Sequence, residues 1–184
     1  MHLFKCIGCC LFVFWRFVLK LKNWLLTVTL LTSPLAYGQY CGTDVGSINT
    51  PNNHFSLLNN GTVVHKKTGL TWSRCLVGQS WANGQCQGKP ASLDHAQAAL
   101  EAKNSSLAGK SAWRLPTKQE IATIVETACE EPSANLDVFP TTPSAFFWTN
   151  EKVADEKAWM QYFGNGRSFR MSIETLGKVR LVHK

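Results

Sequence analysis

The stretch WRLPTKQEIATIVETAC, residues 113–129, decides how the rest of the chain is read. Thr117 and Glu120 have the spacing of a capping box. In that motif the threonine hydroxyl accepts from the amide three residues on, and the glutamate reaches back to the cap's own amide. Pro116 disfavours helix just ahead of the cap and sets a sharp boundary. Beyond it Ile121, Ile124, Val125 and Ala128 fall at i, i+3, i+4 and i+7, one apolar helical face. Lys118, Gln119, Thr123 and Glu126 take the other face. The spacing predicts an extended Trp113-Arg114-Leu115 feeding a capped amphipathic helix that ends in Cys129.

Toward the N-terminus, residues 55–58 and 62–65 flank Asn59-Asn60-Gly61, which reads as a hairpin whose turn accepts positive φ. Residues 66–69, KKTG, turn the chain again into Leu70-Thr71-Trp72. Ser92 is placed to cap a helix with Leu93, Ala96, Leu100 and the stem of Lys103 inward, ending near Asn104. Toward the C-terminus, residues 130–137 are a polar loop. From Phe146 come four short strand patterns, FFWT, AWMQYF, SFRMSI and KVRLVH, with turns at residues 151–156, 164–166 and 176–177. Two helices between a hairpin and a strand set make an α+β fold. The reading is one domain at 54–184, after an irregular tail at 39–53 and a leader at 1–38.

The same organising stretch carries a family resemblance. WRLP and a Thr-capped helix holding Glu120 are accompanied, in order, by TGLTW at 68–72, FP at 139–140, FFWT at 146–149, Trp159, Gly166 and VRLVH at 179–183. By this ordered set the chain resembles the Lcl C-terminal domain family, named for the Legionella collagen-like adhesin and once catalogued as a domain of unknown function. A more distant similarity is to the RLPT-led helix of sulfatase-modifying-factor-like domains. The resemblance implies a C-type-lectin-like fold with its first and last strands paired, Thr62–Trp72 beside Val179–His183. It makes Trp72, Trp113, Leu115, Pro116, Thr117, Glu120, Trp148 and Trp159 structural, and the tryptophans core. It further implies binding of polysaccharide, anionic in particular, in adhesion.

Composition narrows the classes. The formal charge is +7, yet Lys5, Arg16, Lys20 and Lys22 lie in the first 38 residues, which hold no acid. The remainder carries only +3, so the basicity belongs to targeting and not to nucleic-acid binding. Residues 23–38, NWLLTVTLLTSPLAYG, follow Lys20 and Lys22 in the order of an export signal, with Ala36 and Gly38 at −3 and −1. An apolar core of about ten residues is short for a membrane span, so none is expected in the mature chain. The upstream apolar run with Cys6, Cys9 and Cys10 suggests that translation starts near Val18 or Leu19. The alternative is a long leader or a two-part anchor. Gln39-Tyr40 before Cys41 is unsuited to lipidation.

Four cysteines remain, Cys41, Cys75, Cys86 and Cys129, an even set that reads as two disulfides in an exported chain. Cys75 and Cys86 bracket LVGQSWANGQ and form the natural local pair, leaving Cys41 with Cys129. A zinc site is the rival, but there is no CxxC and no His at ligand spacing from a Cys.

No catalytic constellation emerges. His54, His65, His95 and His183 are scattered, Asp94-His95 is a polar pair near a helix start, and Glu120 reads as a cap. No GxSxG, Walker loop, GxGxxG after a strand or HExxH is present. No cysteine follows Cys129, which argues against sulfatase-modifying chemistry. Glu131-Pro132-Ser133 is similar to a lectin calcium motif but lacks its Asn and its strand partner, so it reads as loop. The expectation is therefore no enzyme, no cofactor and no metal.

The candidate binding residues are Asn165, Arg167, Arg170, Lys178 and Arg180, opposed only by Glu174, with Trp81 as an indole between exposed and tucked in. Such cations suit sulfated or carboxylated polymers. Alternation in VRLVH leaves open that Arg180 faces a buried carboxylate instead. The whole reads as an exported binding module, periplasmic, secreted or at the cell surface. Its rivals are a structural subunit of a surface appendage and a sulfatase-modifying-factor-related enzyme.

Overall fold

The hairpin expected around Asn59-Asn60-Gly61 opens a four-stranded antiparallel sheet. The computed structural model describes residues 38–42, 44, 46–153 and 156–184; the expected leader, Gly38 apart, lies outside them. Strand β1, Tyr40–Cys41, starts the described chain; β2, Phe55–Leu57, and β3, Thr62–His65, form the hairpin, and β4, Thr71–Ser73, adds beside β3. The last strand of the chain, Val182–His183, pairs antiparallel with β4, Val182 opposite Trp72. The pairing of early and late strands is thus present, although only two residues of the final segment take part.

The loop closed by Cys75 and Cys86 is itself a hairpin, of β5, Ser80–Ala82, and β6, Gln85–Gln87. Asn83 and Gly84 both take positive φ at its tip, which suits the twist of a two-residue turn. Cys75–Cys86 and Cys41–Cys129 are both bridged. The latter sits where β1 pairs with β7, Cys129–Glu130.

Helix α1, His95–Asn104, is capped by Asp94 and not by Ser92, with Gln97 completing a capping box. Its buried residues are His95, Ala98 and Ala102, while Ala96 and Leu100 face solvent. The registration comes from outside the helix: Leu93 bridges Gly177, and the His95 amide donates to the Ile173 carbonyl. Alanines at 96, 98, 99 and 102 give the helix little apolar contrast of its own.

Helix α2 begins as expected, with Thr117 and Glu120 making both halves of the capping box. It ends at once: α2 is Lys118–Ala122, and the helix expected to reach Cys129 does not form. Thr123 Oγ1 donates to the Glu120 carbonyl at 2.6 Å, a local bond that competes with helix propagation. Val125 then bridges Ala134, and Glu126 turns inward. Ile121, Ile124, Val125 and Ala128 are nevertheless all buried, so the apolar set was right and the helix was not.

The second sheet holds β8, Phe146–Val153, β9, Lys157–Tyr162, and β10, Ser168–Ser172, in the antiparallel order β10-β9-β8; β11, Val182–His183, closes the first sheet. Alternation along β8 sends Phe147 to one core cluster, with Trp72, Ile121 and Phe163, and Trp148 to another, with Trp113, Leu115 and Met160. A Cβ on Gly177 would lie 2.2 Å from Met160 Cε and 3.0 Å from Trp148 Nε1, so a side chain there would force that second cluster to shift. Trp72, Trp113 and Trp148 are core as expected; Trp159 is a correction, being only half-buried. The architecture is α+β, mostly antiparallel strands with two helices. Among the described residues no helix is long and apolar enough to cross a membrane.

Candidate ligand-binding surface

The register of β9 and β10 sets Arg170 opposite Trp159. Side chains alternate across a strand, so Lys157, Trp159 and Gln161 share one face. Gln161 is deep in the protein, whereas Trp159 keeps part of its indole in water. Lys118 arrives from the first position of α2, its amide held by Glu151 Oε1 at 2.8 Å. Its Nζ lies 3.7 Å from the Trp159 ring centroid, and the Arg170 guanidinium carbon lies 5.7 Å from the same ring. Each cation–π contact is worth roughly 0.5–1 kcal/mol at an exposed site. Two cations gathered on one indole also repel each other, and an anion between them relieves that repulsion.

Only part of the expected cationic set lies near this point. Arg167 and Asn165 are exposed at the turn before β10, where the Arg167 amide donates to Asn165 Oδ1 at 3.2 Å. Both line a polar groove of about 430 Å³ together with Thr127, Glu130 and Ser133. Lys178 is half-buried and directed elsewhere, donating to the Pro90 carbonyl at 3.0 Å and to Ser92 Oγ at 2.8 Å.

Arg180 is a correction: it is 1% exposed and offers nothing to a ligand in solution. Its segment runs between the two cores, with Val179 and Leu181 packed in one and Val182 in the other, so alternation leaves no wet side. Among the described residues the guanidinium pairs with no carboxylate either. It donates to the carbonyls of Ser73 and Arg74, both at 2.7 Å, and to Thr142 Oγ1 at 2.8 Å, with its carbon 4.7 Å from the Phe139 ring. Burial, helped by the charge of Arg74, pulls its pKa down to about 9.

Trp81 is half-buried and engaged: its Nε1 donates to the Asn59 carbonyl at 3.0 Å, and the Arg74 guanidinium lies 4.5 Å from its ring. It is a hairpin clamp. Three participants escaped the sequence reading. Lys118 was visible only as one polar residue of a helix, because nothing local announces Trp159 above it. Glu126, assigned to the wet face, is 4% exposed and accepts from the amides of Asn49, Thr50 and Ala128 and from Thr50 Oγ1. Those bonds hold its carboxyl below the usual range against an opposing burial effect that is the largest single influence. His95, read as polar, is buried with Nε2 donating to the Thr149 carbonyl at 3.1 Å.

Among the described residues no three His, Cys, Asp or Glu side chains converge as a metal site. Residues 61–183 match a family described as the Lcl C-terminal domain. No curated protein matches the chain.

Proposed function

The chain belongs to the Lcl C-terminal domain family, and on that premise we propose that it is an exported, non-catalytic module that binds anionic polysaccharide at the cell envelope or surface. One observation carries the reading: the half-exposed Trp159 with Lys118 and Arg170 both within 6 Å of its ring centroid. Lys118 and Arg170 packed over the indole suit a sulfate or carboxylate, and a sugar ring of the same unit would pack on the part of the indole they leave uncovered. Two disulfides suit an oxidising compartment outside the cytoplasm. The pairing of β11 with β4, and helices placed between the two sheets in sequence, agree with a C-type-lectin-like scaffold.

The absence of catalysis is part of the proposal. Glu126, His95 and His65 are the buried groups with shifted pKa that a catalytic reading would call on first, and His65 Nδ1 is engaged with Thr68 Oγ1 at 2.8 Å. The other two are satisfied by structural hydrogen bonds, Glu126 by amides and a hydroxyl and His95 by a carbonyl. Cys41, Cys75, Cys86 and Cys129 are all bridged, so the sulfatase-modifying reading has no thiol among the described residues.

Retention on a heparin column tests the proposal. Lys118→Gln with Arg170→Gln should abolish retention at low salt while the melting temperature stays nearly constant. Wild-type retention should fall steeply toward physiological salt, where exposed charges are screened over about 8–10 Å. Undiminished retention of the double variant, or none for the wild type, overturns it.

A second reading, a subunit of a surface assembly, draws on β10. It is an edge strand and carries Phe169, 38% exposed. An open edge is a template for pairing with another chain, and concentration-dependent sedimentation decides that case.

A further inference from the structure

Outside the sheet that bears Trp159, the N-terminal segment forms a strap over residues 126–137. Three attachments fix it. Cys41 is bridged to Cys129; Gln39 Nε2 donates to the carbonyls of Pro132 and Ala134; Asn49 and Thr50 bond to Glu126. Asn49 also donates to the Val125 carbonyl and accepts from the Thr127 amide at 2.7 Å. The strap does not lie flat. Between it and the segment beneath is an open hollow of about 750 Å³. Its apolar walls are Ile48, Pro51, Ala128, Ala134 and Leu136, with the Cys41–Cys129 bridge at one end.

That volume falls in the range of small-molecule sites, which are apolar hollows with a few fixed polar groups. Ile48, which lines it, is 73% exposed, an apolar side chain left toward water although Asn49 and Thr50 beside it are hydrogen-bonded in place. The charge of the lining is one-sided. Glu126 and Asp137 both contribute, and no Lys, Arg or His lines the hollow among the described residues. Glu126 meets its donors as neutral amides and a hydroxyl, and Asp137 Oδ2 accepts from Asn52 Nδ2; the cation at hand, Arg74, donates to the Asp137 carbonyl at 2.8 Å but forms no salt bridge with either carboxylate among the described residues. Hydrogen bonds satisfy the oxygens without cancelling the field of the charge.

We infer that the strap hollow is a binding site for a small amphipathic cation, an apolar body carrying an ammonium head. The body lies along Ile48, Pro51, Ala134 and Leu136, and the head is drawn to the side of Glu126 and Asp137. The site is separate from the polymer-binding surface: Lys118, Trp159 and Arg170 are not among its walls. Part of its lining, Cys41, Ile48 and Pro51, lies ahead of the matched residues 61–183.

Amide shifts of the oxidised chain, titrated with n-octylammonium and separately with octanoate below their micellar concentrations, test the inference. Octylammonium should give saturable shifts confined to residues such as Ile48, Ala128, Ala134 and Leu136, with at least tenfold tighter binding than octanoate. Asp137→Asn should weaken octylammonium severalfold, and Ile48→Ser, an exposed change that leaves the fold intact, should weaken it about as much. Absence of saturable shifts at these amides, equal binding of octanoate, or unchanged affinity in both variants overturns the site. The heparin experiment is unaffected by any of these outcomes.

Discussion

The Arg114 guanidinium holds both carboxylate oxygens of Glu120 at 2.7 Å, and one of those oxygens also accepts the Thr117 amide at 2.8 Å. Cap and ion pair are therefore one device. Thr117→Ala should cost roughly 1 kcal/mol in a urea melt. The Arg114 side chain is 37% exposed, so the pair itself adds less than about 1 kcal/mol. Trp113→Ala, next to Arg114 but 2% exposed, should cost about 3–5 kcal/mol.

The pair also gives stability an acid limb. Hydrogen bonds from Arg114 hold the Glu120 carboxyl below its usual range against an opposing burial effect. A carboxylate depressed by folding stabilises fully above its unfolded pKa, roughly 4.3, and loses that contribution as pH falls through the folded value. Glu120→Gln should flatten the decline in urea midpoint from pH 5 downward. An unchanged slope would remove Glu120 from the acid limb.

His95 makes a separate prediction at higher pH. Burial is the main reason its pKa is lowered, and the Thr149 carbonyl opposes that in part. The folded protein thus keeps the ring neutral at a pH where the unfolded chain protonates it. Stability from this site is complete above about 6.5 and drains away as pH falls from there toward the folded value. His95→Gln should be less stable at pH 7.5 yet lose less between pH 6.5 and 5.5, as read from paired melts.

Arg180→Ala should cost over roughly 3 kcal/mol, because it empties volume beside Phe139 and strands the oxygens of Ser73, Arg74 and Thr142. Arg180→Lys keeps a cation but loses the fork, for about 2 kcal/mol. Heparin retention per folded molecule should be the same in both variants as in the wild type.

The two bridges differ in loop length, with sequence separations of 11 and 88 residues. Chain-entropy arguments give about 3 kcal/mol for closing the short loop and over 4 for the long one. Paired Cys→Ser variants in denaturant melts should keep that order. A larger loss from Cys75→Ser with Cys86→Ser would show that the β5–β6 hairpin matters more than chain closure.

What the sequence disclosed was local. The Thr117–Glu120 box, the turn at Asn59-Asn60-Gly61 and the Cys75–Cys86 closure are each decided within a dozen residues, and each was legible. The bridge from Cys41 to Cys129 followed because only one partner remained. Misreadings arose where distant groups decide. Glu126 looks like a wet helical residue until Asn49 and Thr50, more than 70 residues earlier, wrap its carboxylate. Arg180 looks like a surface cation until Ser73 and Arg74, over 100 residues earlier, supply its acceptors. The Trp159 surface was half visible: Arg170 was named, but Lys118 reaches it only because α2 crosses the sheet.

The Cys41–Cys129 bridge also sets the route of a mechanical load. Tension between residue 38 and residue 184 passes through the sulfur–sulfur bond and bypasses residues 42–128, which include α1 and most of the first sheet. Cutting the bridge would add roughly 300 Å of extensible chain, at about 3.4 Å per residue over the 88-residue separation. Lys118 then stands in the sheltered stretch, whereas Trp159 and Arg170 stand on the line of pull. Pulled from both sides, the chain keeps a short leash while oxidised, and strain reaches the strands that carry Trp159 and Arg170 without first unravelling residues 42–128.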